Sequence, residues 1–248
     1  MKKLENNILI LKRDDLMVRK NVDISSNVKL EGRAIWTLSA DGNNKVYGET
    51  TRKKRGDVWR RWDPYRSKLG AAILRTKKDP AILFPSPGST VVYLGAAHGT
   101  TISHIHDHLC GKNNKFSGRL ISVDISPRCL RDLNHLAVRR PGIIPVFGDA
   151  RKLESWSYLV PKGADWLFQD VSQAGQVDIF ITACKRFLRP NSTALLSLKG
   201  ASERFNEGGD QAIFLETNEK LLNSGIKIVE SIELSGFEEQ HMLFHCVI

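Results

Sequence analysis

From Thr90 onward, short apolar runs alternate with stretches of helical spacing. The runs predict strands at 90–95, 119–125, 143–147, 165–169, 192–199, 227–234 and 241–247, with helices near 98–110, 127–140, 174–188 and 210–223. The third of these helices shows its period plainly, because Val177, Phe180, Ile181, Cys184, Phe187 and Leu188 fall on one face. Ser126-Pro127 opens the second with a capping side chain followed by proline. Such alternation predicts an α/β fold, a doubly wound, mostly parallel seven-stranded sheet whose ligand crevice lies at the strands' C-terminal ends. No helix separates the final two strands, so an antiparallel hairpin is expected to close one edge, with the last strand antiparallel.

The first third reads differently. Asn7–Leu11, Arg33–Leu38 and Lys45–Glu49 are β-like, and Ala40-Asp41-Gly42-Asn43-Asn44 predicts a hairpin turn between the last two. Residues 1–60 are therefore expected to form a small antiparallel unit ahead of a larger one at 61–248. Asp63-Pro64 opens a helix running to about Arg75, with Tyr65, Lys68, Leu69 and Ala72 on one stripe. A lysine on an otherwise apolar stripe is out of place there.

Charge sharpens this division. Of 248 residues, 37 are Lys or Arg and 27 are Asp or Glu, a net of +10. Residues 1–78 hold 20 basic and 9 acidic residues, so the whole excess lies there. Arg52, Lys53, Lys54, Arg55, Arg60, Arg61 and Arg66 are the expected RNA contacts, with Trp59, Trp62 and Tyr65 interleaved as stacking rings. No stretch approaches the roughly 18 apolar residues of a membrane span. Glu5 interrupts the only early apolar run, which reads as a strand rather than a signal peptide. Cys110, Cys129, Cys184 and Cys246 are scattered, which suits reduced thiols in an intracellular compartment. His98, His104, His106 and His108 are dense, but only His104 and His108 share a helix face, so no metal site is expected and they read as helix-surface and capping residues. Met17, Met242 and the five tryptophans read as core or interface.

Chemistry gathers at the strand ends. The first parallel strand runs into Gly95-Ala96-Ala97-His98-Gly99-Thr100-Thr101, small residues that let backbone approach a ligand at a helix start. It is neither a dinucleotide fingerprint nor a phosphate loop. Asp124, Asp149, Asp170 and Lys199 close the next four strands, where a core strand has no need of charge. Acidic ends without a phosphate loop suit a nucleoside with a cationic tail, S-adenosylmethionine: ribose on Asp124, adenine near Asp149-Ala150, and the sulfonium end near Gly95 and Asp170.

Trp62-Asp-Pro-Tyr-Arg-Ser-Lys-Leu69, Gly95-x-x-x-Gly-Thr-Thr-x-Ser-His104, Val123-Asp-x-Ser-Pro-Arg128, Gly148-Asp-Ala150 and Asp170-Val-x-Gln173 resemble, in order, the motifs of the fibrillarin family. The resemblance spans nearly the whole chain and is nearest the archaeal fibrillarin-like rRNA/tRNA 2′-O-methyltransferases, because no Gly/Arg-rich extension precedes it. It implies a Rossmann-like class I methyltransferase fold and an S-adenosylmethionine-dependent RNA ribose 2′-O-methyltransferase. The substrate would be pre-rRNA, with tRNA as a further one, and the enzyme the catalytic subunit of a box C/D guide ribonucleoprotein. The implied cofactor contacts are Gly95, Ala96, Gly99, Thr100, Thr101, Asp124, Ile125, Asp149, Ala150, Asp170, Val171, Ser172 and Gln173. The implied catalytic group is Lys68, Asp170, Lys199 and His241. Departures are Asp124 where many members carry Glu, Gly-Ala-Ser-Glu after Lys199, and a missing Glu-Pro before His241.

Methyl transfer from a sulfonium to a 2′-oxygen asks mainly for positioning and for a base. Lys199 is expected to take the proton, Asp170 to orient it, Lys68 to position the nucleotide and His241 to hold the ribose; the lysines could exchange roles. No base-reading module is present. The resemblance therefore implies a box C/D guide RNA that selects the rRNA or tRNA target, a Nop-type scaffold protein and a kink-turn-binding ribosomal-type protein as partners. The compartment implied is cytoplasmic for the archaeal type, nucleolar for a eukaryotic one. The rival readings are a stand-alone RNA 2′-O-methyltransferase and a catalytically silent RNA-binding scaffold subunit.

Overall fold

A computed structural model describes residues 19–160, 163–200 and 209–248. The expected strand at Asn7–Leu11, Met17, and the run after Gly200 lie outside the described residues.

Five antiparallel strands come first: β1 (Arg19–Ser25), β2 (Val28–Gly32), β3 (Ala34–Leu38), β4 (Thr51–Lys54) and β5 (Asp57–Trp62), in spatial order β1-β2-β3-β5-β4. The expected hairpin between 33–38 and 45–49 does not form. Its turn exists, with the Asn44 amide donating to the Asp41 carbonyl at 3.2 Å. Residues 45–49 then curl instead of pairing, because the Glu49 carboxylate accepts the amides of Val46 at 3.1 Å and Tyr47 at 2.9 Å. The basic run forms a hairpin in its place: Arg55 (φ 54°) and Gly56 (φ 88°) are both left-handed, which matches the twist of β4 and β5. β5 runs across residues 60 and 61, where the sequence placed the boundary between units.

The single helix expected over 63–75 is two pieces. Asp63 caps a 3-10 turn at Pro64–Arg66, Ser67 is extended (φ −157°, ψ 113°), and α1 covers Lys68–Arg75. Ser67 Oγ accepts the Gly70 amide at 3.1 Å, so the serine restarts the helix as its cap. The expected stripe is thereby dissolved. Tyr65 is 65% exposed on the 3-10 turn, Leu69 and Ala72 are fully buried, and Lys68 stands alone at the first position of α1.

The second sheet holds β6 (Thr90–Leu94), β7 (Arg119–Asp124), β8 (Ile143–Phe147), β9 (Ala164–Gln169), β10 (Leu188–Lys199), β11 (Lys227–Glu233) and β12 (His241–Val247). The helices are α2 (Thr100–Leu109), α3 (Pro127–Arg139), α4 (Gln176–Phe187) and α5 (Gly209–Asn223). Spatial order is β11-β12-β10-β9-β6-β7-β8, with β12 antiparallel to both neighbours. Alternate residues of β6 feed two cores: Val91 and Tyr93 pack with α1, α2, α3 and the first sheet, Val92 and Leu94 with α4 and α5. The order reverses between β6 and β9, which opens a crevice at their C-terminal ends. None of the described helices is long and apolar enough to cross a membrane.

Between the two sheets α2 is buried nearly all round. His104, His106 and His108, expected on a helix surface, are buried at 0–4% exposure. His104 stacks on Trp62 with centroids 4.8 Å apart, accepting and donating between Thr37 Oγ1 (2.7 Å) and Tyr47 Oη (2.8 Å).

Candidate active site

The crevice after β6 and β9 is a cleft of about 270 Å³. Its floor depends on close backbone approach. Asp170 N–H donates to the Leu94 carbonyl at 2.9 Å, and a Cβ added to Gly95 would stand 2.2 Å from the Asp170 carbonyl oxygen. With φ at +82°, Gly95 is required twice over. Its far wall is Asp124, whose Oδ2 accepts the Ala97 amide and Oδ1 the Ser126 amide, each at 2.8 Å. Those bonds aim the carboxylate along the cleft and leave each oxygen a second lone pair for a ligand hydroxyl.

Of the expected cofactor residues, Gly95, Asp124, Ile125, Ala150, Asp170, Val171, Ser172 and Gln173 line this cleft. Five do not. Ala96 is buried, and Gly99 is the left-handed cap of α2. Thr100 lines a separate hollow, Thr101 Oγ1 donates to Ser67 Oγ at 2.9 Å, and Asp149 is folded onto Arg151 at 2.7 Å. Ala97, Val123 and Gly148 line the cleft and were missed. Ala97 is one of the few non-glycine residues with positive φ (49°), a property its sequence does not advertise.

Of the four expected catalytic residues, Asp170 lines the cleft, Lys68 and His241 act on its carboxylate, and Lys199 stands opposite His241 in the sheet. Lys68, reaching from α1, pairs with Asp170 Oδ1 at 3.5 Å. Lys199 and His241 are opposite one another on β10 and β12, so their side chains leave the same face. Gln176, at the start of α4, pins Lys199 by both backbone atoms, accepting its amide at 3.2 Å and donating to its carbonyl at 3.3 Å. His241 Nδ1 faces the Glu239 carbonyl at 2.8 Å and must therefore donate to it, which fixes the orientation of the ring. Burial raises the pKa of Asp170 above the usual carboxylate range, against the opposing pull of Lys68 and His241. A larger hollow of about 420 Å³, lined by Tyr47, Arg61 and Arg66 among others, contains none of these groups.

The basic first third is only partly available for a polyanion. Arg60, expected among the RNA contacts, is instead fully buried, its guanidinium held by Glu49 at 2.6 Å and Asp107 at 2.7 Å. Asp107 also takes Arg140 at 2.6 Å, making a four-charge cluster that joins the first sheet to α2 and to the end of α3. Trp59 and Trp62 are buried as well, so of the three expected stacking rings only Tyr65 is exposed. Arg52 is half-buried against Glu31 and lies 3.9 Å over the Trp36 ring. Lys53, Lys54, Arg55, Arg61 and Arg66 are exposed. Among the described residues no cluster of His, Cys, Asp and Glu could hold a metal ion.

A seven-stranded sheet of this order, with acidic residues along one cleft and a lysine paired to one of them, defines the class as a Rossmann-like methyltransferase. The chain belongs to the fibrillarin family, whose model matches residues 19–248. It is 42% identical over 201 residues to a fibrillarin-like rRNA/tRNA 2′-O-methyltransferase of Thermococcus onnurineus, covering 81% of this chain and 84% of that one. Among solved structures it resembles Aeropyrum pernix fibrillarin with natively bound S-adenosyl-L-methionine (TM-score 0.76, 29% identity, 93% of this chain and 100% of that one). It also resembles the fibrillarin of a fibrillarin/Nop5p complex (TM-score 0.75, 29% identity, 89% and 96%).

Proposed function

We propose that this chain methylates the ribose 2′-oxygen of rRNA and tRNA, with S-adenosylmethionine as donor. The observation that carries the reading is the pairing of Lys68 with Asp170, a residue of the cleft lining whose carboxylate also feels His241, the strand partner of Lys199. The residues present fit the cofactor: Asp124 offers lone pairs to the ribose hydroxyls, the small Gly95 floor admits close approach, and Asp170 offers a carboxylate to a sulfonium. When bound, the cofactor supplies an already activated methyl group.

The chain's own groups then orient the acceptor and remove its proton. Lys199 is the base, held in place by the Gln176 clamp on its backbone. Lys68, fixed by Asp170, orients the nucleotide and offsets charge developing on the 2′-oxygen. His241, its ring oriented by the Glu239 carbonyl, holds the ribose. The exposed basic hairpin, Lys53 to Arg55, grips RNA backbone without reading sequence. Thr100, Thr101 and Asp149 stay in this reading as cofactor residues through their place in the segments that flank the cleft. The first sheet, which ends with β5 at Trp62, is the RNA-facing unit and the residues after it the methyltransferase unit. Target choice falls to a box C/D guide RNA, with a Nop-type scaffold, in line with the complex of the related fibrillarin, and a kink-turn-binding protein. The assembly would work in the cytoplasm.

Lys199→Ala should abolish guided methylation, scored on a defined RNA with labelled donor, while calorimetric binding of S-adenosylmethionine stays within about twofold. Near-normal turnover would remove Lys199 from the role of base.

A further inference from the structure

Beside the cleft, on its Asp124 side, stands a group of side chains that methyl transfer does not use. His98 follows Ala97 in the loop after β6, while Cys129 and Asp132 lie on the first turns of α3. His98 Nδ1 is 2.7 Å from Asp132 Oδ2, and His98 Nε2 is 3.7 Å from Cys129 Sγ. Hydrogen bonds from His98 and Arg131 hold Asp132 below the usual carboxylate range, so it is ionised and can only accept. His98 Nδ1 therefore donates to Asp132, and Nε2 is the ring nitrogen that faces the Cys129 thiol. Nucleophile, base and orienting carboxylate stand in one line, the arrangement that activates a weak nucleophile.

Two further observations bear on what the group does. Burial, then the Asp124 and Asp132 carboxylates, push the Cys129 thiol up, so it does not ionise unaided and needs the imidazole. The imidazole is reachable: His98 is exposed, and with Asp132, Thr100, His135 and Arg139 it lines a hollow of about 260 Å³. The other three cysteines are buried, with the thiols of Cys110 and Cys246 pushed up to about 12 by burial.

We propose that Cys129, His98 and Asp132 form a base-assisted thiol site that takes up low-molecular-weight disulfides, and that the adduct excludes the methyl donor. As Sγ attacks one sulfur of the disulfide, His98 Nε2 accepts the thiol proton. The Sγ–S bond forms, the disulfide's own S–S bond breaks, and the departing thiolate leaves as a thiol with the proton from His98. Atoms and electrons balance with no other oxidant, and excess thiol reverses the step. Asp124 accepts the Ser126 amide and Ser126 Oγ the Cys129 amide, so the adduct would sit beside Asp124, the residue proposed to hold the cofactor ribose, and this second half rests on the methyl-donor reading.

The thiol chemistry is tested without any methyl donor. The full chain is mixed with 5,5′-dithiobis(2-nitrobenzoate) and the release of coloured thiolate is followed. One fast equivalent is expected, absent in Cys129→Ser, and at least tenfold slower in His98→Ala and Asp132→Asn, with circular dichroism reporting whether each variant is folded. A fast phase that survives in Cys129→Ser, or an unchanged rate in both other variants, overturns the assignment. Protein carrying a glutathione mixed disulfide is then compared with untreated protein and Cys129→Ser for S-adenosylmethionine binding by calorimetry. At least a tenfold loss of affinity, reversed by dithiothreitol and absent in Cys129→Ser, is expected; equal affinity overturns the exclusion. Untreated protein that binds no donor counts against the proposed function, not against the thiol chemistry.

Discussion

A carboxylate with no exposed atom, Asp107, answers to two guanidiniums, those of Arg60 and Arg140. Both arginines and Glu49 are equally enclosed, so the cluster is balanced charge against charge. Asp107→Ala leaves two buried cations facing a single carboxylate, a change that costs about 3–5 kcal/mol. The measurement is the midpoint of urea unfolding with its slope checked. The same region makes stability pH-dependent. Burial, with Arg140 adding to it, lowers the His106 pKa to about 4, whereas the unfolded chain takes up that proton near pH 6.5. Below about 6.5 the unfolded state binds more protons, so stability falls as the pH drops from there toward 4, by about 3 kcal/mol from this residue alone. Asp107, whose pKa is depressed, adds a further loss below about pH 4. His106→Gln should flatten the upper part of this curve in denaturation series run from pH 7.5 to 4.5. A slope that stays the same would remove His106 from the account.

Between elements, a short chain of hydroxyls ties the start of α1 at Lys68 to the first turn of α2. Thr101, in the first turn of α2, donates to Ser67, and Ser67 accepts the Gly70 amide that starts α1 at Lys68. Helical spacing sets Lys68 on a stripe with Tyr65, and the structure departs from it for a local reason: the serine side chain outcompetes the helix for backbone and breaks it. Ser67→Ala removes the cap, worth about 1 kcal/mol, and frees the start of α1. Turnover should fall on the order of tenfold through kcat, since small misplacement of a catalytic group is costly, while donor affinity stays within about twofold. Steady-state kinetics beside calorimetry separates the two. A loss of donor affinity with kcat intact would instead place Ser67 at the cofactor. Gly95→Ala puts a methyl into the Asp170 carbonyl at a left-handed position, and donor binding should be lost even if the chain folds.

For the molecule as a whole, the charge division has a testable meaning. The first 78 residues carry the entire positive excess, but Arg60 is neutralised in the interior and Arg52 is partly neutralised by Glu31. Among the described residues, the β4–β5 hairpin with Arg61 and Arg66 is the densest outward basic group, beside the separate exposed Arg33, Lys45, Lys77 and Lys78. Reversing Lys53, Lys54 and Arg55 to Glu should weaken RNA binding and flatten the plot of log affinity against log salt by about 2–3, near 0.7–0.9 for each phosphate no longer neutralised. Fluorescence anisotropy across a salt series reads both quantities, and S-adenosylmethionine binding should not change. If affinity and slope stay as in the parent, the hairpin is not the RNA grip.

The parallel sheet, its helices and the strand-end positions of Asp124, Asp170 and Lys199 were legible along the chain, because apolar period and strand ends are local properties of sequence. So was the family, carried by motifs in order. The descent of Arg60 into a buried cluster was not, since nothing around a basic run says which member will meet Asp107, 47 residues further on. Nor was the separation of Thr101 from the cleft, or the line from Asp132 through His98 to Cys129. Each depends on which side chains two distant segments bring within hydrogen-bond reach, and packing alone decides that.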